Sequence, residues 1–223
     1  MPERNIFRWI EGRGWLVLSG GADFNSDVRA LALARAAADG GVAYVSTGGG
    51  PEEAERVLED MEDLGAPAGY LVDVTSEDDR TVVSRLTDAA VVVVGPAGSA
   101  EAIRSSLLGA AAEGLQTAFE NGAVILAEGQ SAMVFGEWVV RDSGELVNGL
   151  EWVAGSLIAP GVTNAAAWAR EVLLAQTLEY VVGIGAGSAL ALGPDGEVEI
   201  WGKGEVTVAL GQSLTSGPKE TGQ

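Results

Sequence analysis

The sequence predicts a three-layer α/β/α domain on a mostly parallel central sheet, with an antiparallel β-hairpin appended at the C-terminal end. Three observations predict it. Short runs that are apolar throughout alternate with helical patterns from about residue 14 to residue 180. The links between them are short and rich in glycine. Hydrophobic residues make up 47% of the 223, which suits a sheet buried on both faces. Residues 1–211 read as one domain, and the polar stretch 212–223 as a loose tail.

The elements follow in order. Trp15-Leu16-Val17-Leu18 is a buried strand closed by Ser19-Gly20-Gly21, and Asn25 or Ser26 can cap the next helix. Val42 to Val45 is a second strand. Pro51 then fits the first position of a helix whose Ala54, Val57, Leu58, Met61 and Leu64 form one apolar face. Gly69 to Val72 is a third strand and Asp79 to Leu86 a short helix. Ala90 to Val94, the most β-branched run, is a fourth strand. A helical region from Ser99 to Asn121 is broken near Gly109, and Ala123 to Ala127 is the fifth strand. A helix from Asn164 to Leu178 precedes Tyr180 to Ile184. Three extended runs then follow, Ser188 to Leu192, Glu197 to Trp201 and Glu205 to Leu210. Gly193-Pro194-Asp195-Gly196 and Gly202-Lys203-Gly204 separate them as turns, which makes them an antiparallel addition to the sheet edge.

Composition excludes several classes of function. The net charge is −19 and only Lys203 and Lys219 are lysines, a balance that repels nucleic acid and anionic lipid. Cysteine and histidine are both absent, so thiolate catalysis, Ser-His catalysis and the usual zinc sites are ruled out. No uncharged apolar run reaches membrane-spanning length, and a cytoplasmic protein is the expectation. Acidic runs such as Glu59/Asp60/Glu62/Asp63 read as solvated helix faces. No cofactor is expected, because the glycine clusters lack dinucleotide and Walker spacing.

The most informative spot follows the fifth strand: Glu128-Gly129-Gln130-Ser131-Ala132-Met133. A serine between a buried strand and a helix start can sit on a strained elbow with its hydroxyl exposed. The next amide is then free to bind an oxyanion. Met133 breaks the Gly-x-Ser-x-Gly form, and a serine at a helix start more often caps the helix. Elsewhere, Gly20-Gly21 and Gly48-Gly50 could cradle an anion, although tight turns explain them more simply.

With these segments in place the chain resembles the dipeptidase E/cyanophycinase family of serine peptidases, which share the class I glutamine-amidotransferase-like fold. The resemblance runs from about residue 14 to residue 210 and implies a flavodoxin-like order in the sheet. The family's Gly-Thr-Ser-Ala-Gly-Ala falls on Gly129 to Val134, and its Gly-Gly-Asp/Asn-Gln strand end on Gly95 to Gly98. Gly149 to Gly155 echoes Gly-Leu-Gly-Leu-Leu-Pro-Gly. Gly183 to Leu190 echoes Gly-Ile-Asp-Glu-x-Thr-Ala-Leu.

The resemblance implies Ser131 as a vestigial nucleophile, with the Ala132 and Gly95 backbone as oxyanion donors. It implies Pro96, Ala97, Gly98 and Gln130 as ligand-binding positions. It also exposes losses. The family histidine falls on Gly161, the acidic pair on Gly185-Ala186, and Pro96 has no amide hydrogen to donate. The leading reading is therefore a pseudo-peptidase with a binding, regulatory or structural role, taking a small peptide or amino-acid-like ligand, with homodimerisation left open. Two readings stand beside it. One is a serine peptidase with an unusual base, for which Lys203, Glu128 and Glu137 are the candidates. The other is an anion- or nucleotide-binding module at the glycine turns.

Overall fold

The computed structural model describes residues 6–21, 26–170, 172 and 178–211. Five parallel strands form its centre: β1 (Trp15–Ser19), β2 (Gly41–Ser46), β3 (Tyr70–Asp73), β4 (Ala89–Val94) and β5 (Val124–Glu128). They are joined by α1 (Ser26–Arg35), α2 (Pro51–Asp63), α3 (Asp79–Thr87), α4 (Ala100–Leu107) and α5 (Ala110–Glu120). Every residue of β1, β4 and β5 is buried, as strands covered on both faces require. Local chemistry sets the helix starts. Pro51 opens α2, while Asp78 and Ser99 accept the amides of Thr81 and Ala102 at the starts of α3 and α4. Gly109, at φ 78°, separates α4 from α5 and accounts for the break expected there.

The sheet has two apolar faces with different covers. Val17, Tyr44, Val93 and Leu126 pack with Val28 and Ala32 of α1 and with Ala54, Val57 and Met61 of α2. Leu18, Val45, Val92 and Ile125 point the other way, into a core shared with Leu86, Ile103, Leu115 and Phe119 from α3 to α5. The α/β class with its largely parallel sheet is as the sequence predicts.

The C-terminal part is arranged differently from the expected single appendage. After β5 come a short helix α6 (Gln130–Val134), then β6 (Gly136–Val140), β7 (Leu146–Asn148), β8 (Val153–Pro160), α7 (Ala165–Trp168) and β9 (Tyr180–Ile184). Of the helix expected over 164–178, Asn164 caps the start by accepting the Ala167 amide, and residues 171 and 173–177 lie outside the described residues. So does Asn25, one of the two caps expected for α1. The three final runs are β10 (Ser188–Leu192), β11 (Val198–Gly202) and β12 (Val206–Leu210). They divide between two sheets. The larger has the order β11-β10-β1-β5-β4-β2-β3 and the smaller β12-β9-β8-β6-β7. Thus β10 and β11 form the expected antiparallel edge, whereas β12 crosses to pair with β9.

Within the second sheet, β6 and β8 escape a sequence reading because they are neither wholly apolar nor cleanly alternating. Glu137 interrupts β6, and Gly155 and Ser156 interrupt β8. Its core-facing residues, including Val139, Leu157, Val182 and Ile184, join the cluster on the α3–α5 side of the first sheet.

Ile125 sits at the middle of this packing, fully buried on β5 between β1 and β4. Replacing Ile125 with alanine should cost about 2–5 kcal/mol in urea unfolding. A loss below about 1 kcal/mol would contradict a close-packed position at the sheet centre.

Candidate functional site

Ligands of open parallel sheets bind outside the carboxyl ends of the strands, and there this chain gathers its glycines. A Cβ added to Gly21, after β1, would lie 3.2 Å from the Gly129 Cα, and one on Gly129 would lie 3.1 Å from the Pro96 Cβ. At Gly20 an added Cβ would collide with the carbonyls of Ile184 and Gly185. A Cβ added to Gly161, after β8, would make ordinary contact with the Gly20 carbonyl oxygen at 3.9 Å. The turns after β1, β4, β5, β8 and β9 therefore meet at one end of the sheet. The groups they bring together are main chain and proline.

The elbow expected at Ser131 lies two residues earlier. The sharp turn from β5 into α6 is made by Gly129, at φ 57° and ψ −126°, a conformation that side chains disfavour. Ser131 is already inside α6 and fully buried. Its hydroxyl has the Val94 carbonyl at 2.8 Å and the Glu128 carbonyl at 2.9 Å as acceptors. One hydroxyl proton serves these two oxygens, and among the described residues no side chain hydrogen-bonds it. The exposed serine of the sequence reading is thus corrected to a buried one that ties β4, β5 and α6 together. The position on the turn itself has no side chain.

The expected oxyanion donors are also engaged elsewhere. The Ala132 amide donates to the Gly129 carbonyl at 2.9 Å, and the Gly95 amide points back to the Val45 carbonyl at 3.4 Å. The amide following the elbow residue is that of Gln130, at the first position of α6, where no intrahelical acceptor exists. Of the positions on which the resemblance places the family's histidine and acidic pair, Gly161 takes φ 76° and donates its amide to the Ile184 carbonyl. Gly185 donates to the Glu205 carbonyl, and Ala186 is exposed.

Among the expected binding positions, Pro96 faces Gly129 and the Ala97 carbonyl accepts the Thr47 hydroxyl at 3.2 Å. Gly98 and Gln130 instead share a small neighbouring pocket of about 130 Å³ with Ser99, Glu101, Arg141 and Asp142. The sequence reading missed Arg141, which reaches this pocket from the end of β6 and pairs with Glu101 at 2.8 Å.

None of the alternative bases reaches Ser131. Lys203 is exposed and pairs with Asp27 at 2.8 Å, and that hydrogen bond and charge hold its ammonium above the ordinary lysine range. A base needs the opposite shift. Glu137 accepts the Gly155 amide, and Glu128 is bound by an arginine. The glycine turn after β2 also departs from an anion cradle, because a Cβ on Gly49 would lie 3.0 Å from a carboxylate oxygen of Glu53.

A buried charge network underlies the elbow. Val124, Leu126 and Glu128 share the α1-facing side of β5, so Glu128 ends an apolar stripe with a carboxylate. Arg29 of α1 meets it with two parallel hydrogen bonds of 2.9 and 2.8 Å, and donates a third of 2.7 Å to Asp60 of α2. Burial pulls the Arg29 guanidinium down, but hydrogen bonds and charge from Glu128 and Asp60 outweigh it and hold it above its ordinary value. Burial raises the Tyr44 phenol beside them, and the charges of Glu53 and Glu128 raise it further. The signal for this network was in the sequence: Arg29 adjoins the apolar face of α1, and a carboxylate at the end of an apolar strand requires a partner.

No protein-family model matches the sequence, and no curated protein matches it either. Solved structures do match in fold. A peptidase from an acI-B1 Actinobacterium superposes with a TM-score of 0.71 at 15% identity, over 91% of this chain and 97% of that one. A protein assigned to peptidase E from Listeria monocytogenes EGD-e gives 0.58 at 16% identity, over 88% and 98%. The chain therefore has a peptidase-like α/β fold over nearly its whole described length.

Two substitutions test this geometry. Arg29→Met leaves the Glu128 carboxylate buried without its partner and should destabilise the protein by about 3–5 kcal/mol in chemical denaturation. Gly129→Ala should cost about 1–2 kcal/mol, because only a residue without Cβ takes that turn freely. An alanine tolerated at 129 without loss would place the turn elsewhere.

Proposed function

We propose that this chain is a non-catalytic relative of the dipeptidase E/cyanophycinase peptidases, one that binds a ligand in a crevice at this end of the sheet without cleaving it. The observation that carries the reading is the glycine at the strained β5–α6 turn. A covalent mechanism needs a nucleophile there with a base beside it, and this chain offers Gly129 at the turn and a buried Ser131 behind it. No imidazole exists anywhere in the sequence to serve as base.

Other features support the same reading. Gly161 has no side chain where the family histidine would fall, and Pro96 supplies no amide in the loop where a donor would stand. A small peptide or amino-acid-like molecule suits such a crevice, which offers main-chain polar groups and the shape left by missing side chains. The residues proposed to contact it are Pro96, Ala97 and Gly129, with Gly98 and Gln130 at the adjoining pocket. No described helix is long and apolar enough to cross a membrane, and a role in the cytoplasm is part of the proposal.

Incubation with a fluorophosphonate probe and with acidic dipeptides tests the proposal. The expected result is no covalent mass increase on the intact protein and no dipeptide hydrolysis above the buffer rate. Stoichiometric labelling of Ser131 together with turnover would overturn it.

A further inference from the structure

The chain has three tyrosines, and one of them differs from the others. The Tyr70 hydroxyl donates to the Arg85 carbonyl at 2.7 Å, and that of Tyr180 to the Ala154 carbonyl at 2.9 Å. Tyr44 is 1% exposed, yet its hydroxyl has no hydrogen-bond partner among the described residues. A buried phenol ordinarily finds one. Tyr44 lies beside Val93 in the register of β2 with β4, on the side of the sheet that α1 and α2 cover. The next position of the chain on that face is Gly95, and a Cβ there would collide with the Tyr44 hydroxyl oxygen. The phenol therefore fills the room that a side chain at 95 would need. Its polar tip lies where β4 ends, at the carboxyl end of the sheet.

Glu53 approaches the same loop from the first turn of α2. A Cβ on Gly49 would lie 3.0 Å from a Glu53 carboxylate oxygen and 2.9 Å from the Ala97 Cβ. The Glu53 side chain also has no hydrogen bond or ion pair among the described residues. Glu128, by contrast, is held by two nitrogens of Arg29. A free phenol and a free carboxylate thus adjoin the two ends of the short stretch Gly95 to Ala97. After burial itself, the charge of Glu53 does most to hold the Tyr44 phenol above its ordinary value, and Glu128 adds to it.

We infer that Tyr44 and Glu53 together receive the free amino group of the ligand, the α-amino end of an amino acid or small peptide. The inference rests on the ligand-binding reading above and names the group that is recognised. An ammonium is a donor only, and it needs oxygens that accept. The carboxylate of Glu53 offers a charge-assisted bond, and the Tyr44 oxygen a second acceptor. A carboxylate end of the ligand is disfavoured in the same place. The charges that resist ionisation of the phenol resist an anion equally.

Isothermal titration of the full chain with X-Ala dipeptides, each free and N-acetylated at its amino end, tests the inference. At least one free dipeptide is expected to bind, and its acetylated form about tenfold more weakly or worse. Tyr44→Phe and Glu53→Gln should each weaken the free form about tenfold. Tyr44→Phe should also keep the urea midpoint of the wild type, because the hydroxyl it removes bonds nothing within the fold. A lowered midpoint would reveal an internal partner and overturn the inference. Equal binding of free and acetylated forms, or variants that bind as the wild type does, would overturn it too, while leaving a ligand-binding protein. Failure of every dipeptide to bind would overturn the inference together with the reading on which it rests.

Discussion

The pairing of Arg29 with Glu128 and Asp60 is the interaction on which the rest of this architecture depends. It joins the carboxyl end of the central strand β5 to the two helices on one face of the sheet. Burying Arg29 and Glu128 is costly, and such charges are retained only when hydrogen bonds satisfy them. Here the fork of the guanidinium meets the carboxylate of Glu128 with both nitrogens, and its remaining nitrogen is spent on Asp60. With the Glu128 side chain fixed towards α1, the next residue must turn the chain sharply into α6. Gly129 does so with a positive φ.

That turn decides the chemistry. In a serine hydrolase the strained residue presents its own hydroxyl to the crevice, and strain there is part of the device. In this chain the same bend is made by the residue that bears it most easily, and the nearby serine has become internal bonding. Its hydroxyl faces the carbonyls that end β4 and the strand before the turn. At the strand ends the turns bring together backbone, Pro96 and small side chains. On the proposed reading, shape and main-chain polarity serve recognition, and the residue on the turn, Gly129, carries no side chain.

Much of the fold was legible in the sequence because parallel strands buried on both faces must be apolar throughout. Runs such as Ala90 to Val94 and Ala123 to Ala127 announce themselves, and Pro51 and Gly109 mark a helix start and a helix break. The second sheet was not legible, since Glu137, Gly155 and Ser156 disrupt the pattern of strands whose burial comes from the other layer. The destination of β12 was hidden for another reason. A glycine turn after β11 is compatible with continuing the same sheet or crossing to another, and only the core beneath decides. At the site, a serine among small residues drew the elbow to Ser131. Residue type alone does not reveal which of two neighbouring small positions carries the positive φ, and it is Gly129 that makes the turn.

The central claim is that the strained turn belongs to Gly129 and that Ser131 is internal. A crystal structure resolving the β5–α6 junction measures it most directly. The account predicts a positive φ at Gly129, with the Ser131 hydroxyl within hydrogen-bond distance of the Val94 and Glu128 carbonyls. A Ser131 that occupies the turn itself, with its hydroxyl open to the crevice, would contradict it.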